Sequence, residues 1–600
     1  MKPVKPLLFY SVALFIGCIT FIVFNSSPFI GAVLTASFLI IILATVDFKF
    51  SAIIISFFIL GIVSSYTYYK VDLTSNVMKL RLIKYNEYYP IGQYYGRNIV
   101  LKGNLKKEDE GLNLIIKGKF EFKPDYSRGV VGTLSIQELK REKPDYISSI
   151  SSFKRMLYNR FTEELGKEKA ALVLSICFGD SNYLSEEQKD SFKQLGVIHA
   201  ISVSGFHMAI IYKVLEGILG IWGSLTVSLI YVIFTGSQSA TLRAFIMIFI
   251  FKISKRLFKN YDGLSSLCLS AIIILTFKPY YCMDLGFMLS YLATLGILLY
   301  YNKVRKALYK LPEAINESIS LTLSAQAFSM PYASLTLQNI SFGFIPGNII
   351  LLPIYTALVI IGNLSLIFYK LPIIFNLLAK LLNLVMLIMD GATYVLIKIT
   401  PPTTYLSIYE SFCLLLIIFS FLLVKSGFLK FKFLPIFLLL SLLISNYRFF
   451  PNIQYVDLGS SDGIIIQYKS SRLLIANRGE NIVNNIKIIN SKYRFTKIVN
   501  NSENGLTIQL SQKFLLKTLN NSKVLKGAMP LQITYNNKNI IFTQNPENYS
   551  SIAFRKYDII VLPKKKYYFS KNININNINT LSYDIVFNRS YPSFTIKKEE

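Results

Sequence analysis

Gly196-Val197-Ile198-His199-Ala200-Ile201-Ser202-Val203-Ser204-Gly205-Phe206-His207 opens a stretch that runs through an apolar segment to Thr235-Gly236-Ser237-Gln238-Ser239-Ala240-Thr241-Leu242-Arg243-Ala244. It holds both histidines of the 600-residue chain and an arginine with apolar sequence on either side. Ionisable and polar groups are costly in lipid, so at such positions they face a protein-lined cavity or a path. The stretch reads as the lining of a route through a membrane.

The rest of the chain agrees with a membrane setting. It is 52% hydrophobic and 16% charged, with mean hydropathy +0.44, whereas a soluble chain carries roughly 25% charge. Apolar runs of spanning length, roughly 17 to 25 residues, recur throughout. Residues 7–24, 28–46 and 50–69 read as three N-terminal spans. Ten more are expected near 200–218, 221–235, 239–251, 262–277, 285–301, 313–337, 347–368, 371–399, 407–424 and 433–447, making 13 in all. Lys2 and Lys5 precede the first span, and no cleavable signal is expected. The basic loops at Lys252–Lys259, Lys303–Lys310, Lys370 and Lys425–Lys432 then all fall on the cytoplasmic side, as the positive-inside rule requires. Residues 70–145 and 448–600 fall outside.

Those two regions carry no long apolar run. In 70–145 the segments 98–105, 111–118 and 130–137 read as strands, with Lys106–Glu110 a polar turn, and a small all-β barrel of OB type fits the size. Tyr85, Tyr88, Tyr89, Tyr94 and Tyr95 are expected as barrel core or interfacial belt, in preference to base-stacking platforms. Residues 146–198 are expected to hold connecting helices. One is basic and amphipathic, with Phe153, Met156, Leu157 and Phe161 on its apolar face, and lies on the membrane surface. Another starts at Ser185, which caps with Gln188 three residues on. Residues 199–447 form the membrane core. Residues 448–600 carry 22 Lys or Arg against 9 acidic residues, a net of +13. Strands at 454–458, 463–467 and 472–475 and a helix at 479–490 indicate an α/β or α+β domain.

The chemistry that this composition supports is limited. His199 and His207 among serines do not make up the three or four ligands of a zinc site. The five cysteines form no C-x-x-C pair and indicate neither zinc nor a disulfide framework. Val203-Ser204-Gly205 lacks the preceding glycine of a nucleophile elbow, which disfavours membrane hydrolysis. No Walker-type loop is present. Small polar residues let a helix break or pack closely, so Ser202, Ser204 and Gly205 suit either a hydrated path or tight packing. Arg243 suits bidentate phosphate contact or interfacial snorkelling. Polar and Pro/Gly breaks follow at Asp284 to Ser290, at Gln326 and Pro331, and at Asn348 and Pro353, a pattern that marks a central site in transporters. The net charge of +30 suits an anionic partner, either nucleic acid or lipid headgroups.

These residues also resemble a known family. Gly196 to His207 is similar to the glycine-x-x-histidine-x-x-x-isoleucine/valine-serine-glycine-x-histidine stretch of ComEC-type competence proteins. Gly179-Asp180 with Leu184-Ser185 resembles the segment that precedes it, and Gly236 to Met247, with Ser239, Arg243 and Ala244, the motif that follows. Lys278-Pro279 through Asp284, Gly286-Phe287, Leu289-Ser290, Ala293 and Gly296 resembles a third motif, and Gln326, Pro331, Ser341, Asn348 and Pro353 a fourth. The resemblance implies an inner-membrane channel of bacterial cells for uptake of single-stranded DNA in natural transformation. It would be a polytopic α-helical membrane protein with an external OB-like barrel and an external metallo-β-lactamase-like α/β domain. His199, Ser202, Ser204, Gly205, His207, Gln238, Ser239, Arg243, Asp284, Ser290, Gln326 and Asn348 would line the DNA path. An external DNA receptor and a cytoplasmic ATP-driven motor would be its partners, together with membrane lipid. No cofactor, metal or catalytic residue is expected. Val456 to Gly463 resembles the opening of the family's C-terminal domain. Ala476-Asn477-Arg478-Gly479 and Val499 to Gly505 depart from its metal motifs, and no histidine follows His207, so a degenerate domain without nuclease activity is expected. The alternatives are a transporter of another polymer or a lipid and, less favoured, a membrane-bound nuclease.

Overall fold

Three apolar segments at the start of the chain fold as α1 (Pro6–Ser26), α2 (Pro28–Thr45) and α3 (Phe48–Tyr69), as their length and continuous hydropathy dictate. The computed structural model describes residues 5–457, apart from 71–76, 86–88, 202, 402 and 426, and beyond that strands between 462 and 595. A five-stranded closed barrel follows α3: β1 (Val77–Lys84), β2 (Ile91–Tyr94), β3 (Arg97–Lys102), β4 (Asn113–Glu121) and β5 (Val130–Arg141), in the order β1-β2-β3-β5-β4. Alternate residues Met78, Leu80, Leu82, Ile99, Leu101, Leu114, Ile116 and Leu134 fill its interior, the period-2 pattern of strands. Only β1 and β2 lay outside the expected strands. Tyr85 and Tyr94 pack on this core, whereas Tyr89 and Tyr95 are exposed; Tyr88 lies outside the described residues.

The barrel sits on the end of α3. The Tyr68 hydroxyl donates to the Gly129 carbonyl at 2.7 Å, and Arg97 Nε donates to the Tyr68 carbonyl at 2.9 Å. Tyr68 and Tyr69 are buried at the joint, with Tyr126 and Tyr280 packed against them. A second joint meets the helices after the barrel, α4 (Tyr146–Leu165), α5 (Lys167–Phe178) and α6 (Glu186–Gln194). There Asn182 Nδ2 donates to Glu110 Oε1 at 3.4 Å, Lys107 Nζ lies 3.8 Å from the Tyr183 ring centroid, and Lys154 Nζ donates to the Phe178 carbonyl at 3.0 Å. The expected Ser185–Gln188 cap is present in both directions.

The structure corrects one reading of α4. Its apolar face does not lie open toward lipid. Leu157 and Phe161 are fully buried, Phe161 stacks near Phe178 and Phe375, and Phe153 meets Phe234 and Tyr369. An amphipathic face reads the same whether lipid or protein covers it. Here α5, α7 and α13 cover most of it and leave Met156 exposed; in α5 every residue from Ala170 to Phe178 is buried.

The helical core continues through α7 (Gly205–Phe234), α8 (Ser239–Arg256), α9 (Gly263–Phe277), α10 (Leu285–Ala307), α11 (Glu313–Thr336), α12 (Phe344–Ile367) and α13 (Pro372–Ile399); two further apolar helices, α14 (Ile408–Lys425) and α15 (Leu434–Asn446), follow in a second unit. Among the described residues seven helices are long and apolar enough to cross a membrane: α1, α2, α3, α7, α10, α12 and α13. The expectation of 13 spans counted segments that fall short of that measure. α9 and α15 have 15 and 13 residues, α8 carries Arg243, Lys252, Lys255 and Arg256, and α11 is diluted by serine and threonine.

α7 is folded back on itself. Gly220 adopts φ 67°, ψ −173° inside it, a region essentially confined to glycine. Both ends of α7 lie at Gly179, close to Val203 on one side and the Thr235 carbonyl on the other. Met208 packs with Tyr231 and Val232. A straight helix of this length would hold its ends about 45 Å apart. The arms 205–219 and 221–234 are therefore antiparallel, each about 22 Å long, shorter than the roughly 30 Å hydrocarbon core. The two short spans expected here are the two arms of one hairpin.

The ends of the helices segregate charge. Lys5 bonds Asp262 at 2.9 Å at the N-termini of α1 and α9, away from the barrel, and the basic ends of α8 and α10 lie at that end too. Lys370 does not join them, contrary to expectation. The backbone carbonyl of its neighbour Tyr369 accepts from Arg160, and the Tyr369 ring meets Phe153 edge to face at 4.9 Å, beside Phe234 and the barrel joint. Counting alternating spans does not reproduce this, since α12 packs its first turns against the middle of α11, where Asn348 bonds Thr322 at 3.3 Å.

Residues 404–600, with 337–339, form a separate compact unit. Its strands make two six-stranded sheets. The first orders Lys497–Asn501, Ser471–Asn477, Asp462–Lys469, Arg448–Asp457, Asp584–Phe587 and Pro592–Thr595, with a parallel pair at its first edge. The second is an antiparallel meander from Thr507 to Phe542 extended by two parallel strands, Ile559–Leu562 and Ile578–Thr580. The three strands expected after residue 448 are present. The helix expected at 479–490 and the motif positions 478–479 and 502–505 lie outside the described residues.

Candidate functional site: a polar seam inside the helices

The expected path residues fall into three groups. The first surrounds Arg243 on α8. Its Nε donates to Ser290 Oγ on α10 at 2.9 Å, and its Nη1 donates to Thr294 Oγ1, one turn further. Met247 Sδ lies 4.0 Å from Nη1, and the Tyr291 ring centroid 5.9 Å from the guanidinium carbon. Its Nη2 faces Gly205, where a Cβ would stand 2.8 Å away. Every one of these neighbours is neutral, and among the described residues no carboxylate touches Arg243. Lys252, near the other end of α8, differs: Glu216 holds it at 2.5 and 2.7 Å. A guanidinium held by neutral hydroxyls keeps its charge available to an anion, while the hydroxyls fix its fork.

The second group builds the rim of this site. Asp284 caps α10 by accepting from the Phe287 amide at 2.7 Å, and its Oδ1 also accepts from Ser239 Oγ at 3.3 Å. Gln238 Nε2 donates to the Gly179 carbonyl at 3.3 Å, tying the start of α8 to the end of α5. Ser204 and His207 cap α7: the Ser204 amide donates to His207 Nδ1 at 3.0 Å. His207 stands where a capping box carries glutamate and is buried, so its nitrogen serves the helix end. His199 lies in the short turn Ile198–Ala200 and is exposed. Ser202 lies outside the described residues.

Gln326 and Asn348 form the third group, on α11 and α12, and no contact brings them to Arg243. Gln326 accepts from Ser329 Oγ at 3.2 Å. Asn348 bonds Thr322, and its own carbonyl oxygen is buried without a partner. What sequence reading passed over is α11 itself. Its Asn316, Ser320, Thr322, Ser324, Ser329 and Ser334 are all buried, in a helix packed between α10 and α12. Asn316 bonds Ser320 at 2.9 Å, and the Ser324 hydroxyl is buried and unpartnered. The signal lay in the unusually low hydropathy of an otherwise span-length segment. At its foot a cavity of about 550 Å³ is lined by Asn302, Arg305, Lys306, Tyr309, Leu311, Glu313 and Asn316. Arg305 there bonds Glu313 at 3.1 Å. Among the described residues no cluster of three or more His, Cys, Asp or Glu is placed to hold a metal ion.

Residues 176–433 match the family described as Competence protein. The chain is similar to ComE operon protein 3 of Bacillus subtilis (strain 168), 23% identical over 282 residues, which are 45% of this chain and 35% of that protein. It is also similar to an uncharacterized protein of Aquifex aeolicus (strain VF5), 28% identical over 222 residues, 35% of this chain and 51% of the relative. The chain thus spans about a third and about half of the lengths of these relatives. No solved structure matches. The matched segment contains the Arg243 site, its rim and the polar helix α11, and over it the chain matches the Competence protein family and is a distant homologue of ComE operon protein 3.

Proposed function

We propose that the protein passes single-stranded DNA through the bacterial cytoplasmic membrane during natural transformation, along the seam formed by the α7 hairpin, α8, α10 and α11. The observation that carries this reading is Arg243, a cation inside the helices whose contacts are all neutral. A polyanion supplies the missing charge in passing, and successive phosphates exchange on one fork without a permanent ion pair. The buried hydroxyls of α11 and the basic cavity at its foot continue the polar route. The family match supports the same reading, and so do the basic ends of α1, α8 and α10 opposite the barrel, which by the positive-inside rule make the barrel end external. In this reading the barrel is OB-like, and a DNA receptor meets the chain outside. A cytoplasmic ATP-driven motor pulls from within. The C-terminal unit is a metallo-β-lactamase-like domain that has lost nuclease chemistry; its mixed six-stranded sheets and the absence of histidine after His207 support this.

The test is uptake of labelled DNA in a strain lacking the gene and complemented with variants of matched membrane abundance. Arg243→Gln keeps hydrogen bonding without charge and is expected to lower uptake about tenfold or more, since a hydrogen bond to a charged group is worth about 1.5–3 kcal/mol. Arg243→Lys is expected to retain part of it, because an ammonium cannot hold Ser290, Thr294 and a phosphate in one plane. Unchanged uptake with Arg243→Gln, or normal uptake in the deletion strain, overturns the proposal.

A further inference from the structure

α13 is long and apolar enough to cross a membrane, yet its surface is divided in a way that a crossing helix does not need. At about 100° per residue, three strips run its length. Phe375, Ala379, Leu382, Met386, Met389 and Leu396 form a buried strip. Asn376, Lys380, Asn383, Asp390 and Lys398 form a polar strip beside it, exposed except for Asn383, which is half-buried. Leu377, Leu384, Ile388 and Val395 mark an exposed apolar strip beyond that.

The buried strip shares one core with Leu351, Tyr355, Leu358 and Val359 of α12, and it also meets α4, α5 and α6, whose exposed faces decide the orientation. Phe161 of α4 meets Phe375 at 5.1 Å between ring centroids. Lys169 of α5 bonds Asn383 at 2.7 Å. Gln194 of α6 bonds the Ile397 and Thr400 carbonyls at 3.3 and 3.2 Å. These contacts extend over about 33 Å of α13, the full thickness of a hydrocarbon core. The covering layer carries exposed charge along that whole length: Glu163 and Glu164 at one end, Lys167 and Glu168 in the middle, Glu187 and Asp190 at the other. Stood upright in the bilayer, such a layer would bury charges at every depth, at several kcal/mol each. Laid flat, it stays in water throughout.

We propose that α13 lies in the plane of the membrane as an interfacial helix. Its apolar strip sinks among the phospholipid acyl chains, its polar strip faces water, and α4, α5 and α6 ride above it. The partner of this surface is the lipid bilayer, which such helices enter by about 5–10 Å. Tyr394, exposed, with Lys398 4.2 Å from its ring centroid, gives the amphipathic anchor expected at headgroup level. The same placement accounts for Lys370 at the barrel end. The inference rests on the membrane setting and not on the DNA path.

Spin labels at single cysteines replacing Leu377, Leu384, Ile388 and Val395 test it, in the full-length chain reconstituted in phosphatidylcholine–phosphatidylglycerol vesicles. The five native cysteines are all buried, and the four positions are exposed, so folding is not at stake. Collision with oxygen and with a nickel chelate reads depth. An in-plane helix gives four depths within about 5 Å of each other. A crossing helix spreads Leu377 and Val395 by about 27 Å along the membrane normal, with the greatest depth near Leu384 and Ile388. Such a depth profile, or free nickel access at all four positions, overturns the proposal.

Discussion

Arg243 is held from three sides, and residue 205 defines the fourth. With glycine there, Nη2 has room to face the seam; a methyl group would stand 2.8 Å from it. Gly205→Ala is therefore expected to push the guanidinium off its fork and lower DNA uptake several-fold while leaving membrane abundance unchanged, as read by immunoblot beside the uptake assay. Abundance and uptake falling together would point to a folding role only. His207 illustrates the opposite lesson. Rarity made it conspicuous in the sequence, but its ring nitrogen accepts from the amide of Ser204, a local duty that spacing alone does not reveal.

At the scale of elements, the α7 hairpin depends on one backbone conformation. Alanine at Gly220 adopts φ 67°, ψ −173° at a cost of about 1–3 kcal/mol. Gly220→Ala is expected to lower the thermal midpoint of the detergent-solubilised protein, read by the loss of helical circular dichroism; an unchanged midpoint would mean that the bend is not needed. The barrel joint makes a pH prediction. Burial pushes the Glu110 carboxyl up to about 7, aided by the nearby Asp180 and opposed by Lys107, Arg155 and Lys154. The folded state then holds a proton that the unfolded chain has released, so stability is greatest below the ordinary carboxylate range and declines as pH rises through about 7. Thermal midpoints are expected to fall between pH 5 and pH 8, and Glu110→Gln to flatten that dependence. A variant with the wild-type slope would show that another group sets it.

At the scale of the whole molecule, a set of apolar helices carries a five-stranded barrel, and the proposed reading of the C-terminal unit can be checked directly. The purified full-length chain, given manganese and linear single- or double-stranded DNA, is expected to leave the DNA intact over hours. Cleavage abolished by a chelator would restore the nuclease reading. The net charge of +13 on residues 448–600 predicts DNA retention that weakens steeply with salt.

Composition and hydropathy by themselves determined that the chain is a multi-pass membrane protein, because transfer free energy is summed residue by residue along a span and needs no knowledge of neighbours. The alternation of Ile99 and Leu101 and of Leu114 and Ile116 was equally legible as strand, and Ser185 with Gln188 as a helix start, since both are local patterns. The tertiary structure decided the rest. That most of the apolar face of α4 meets protein, that residues 205–234 fold into a hairpin, that Lys370 belongs at the barrel end, and that Arg243 meets Ser290 and Thr294 with no carboxylate among the described residues all depend on which elements pack together. Apolar patterning records that a face is buried but not what buries it, and a polar side chain's role is set by partners distant in sequence.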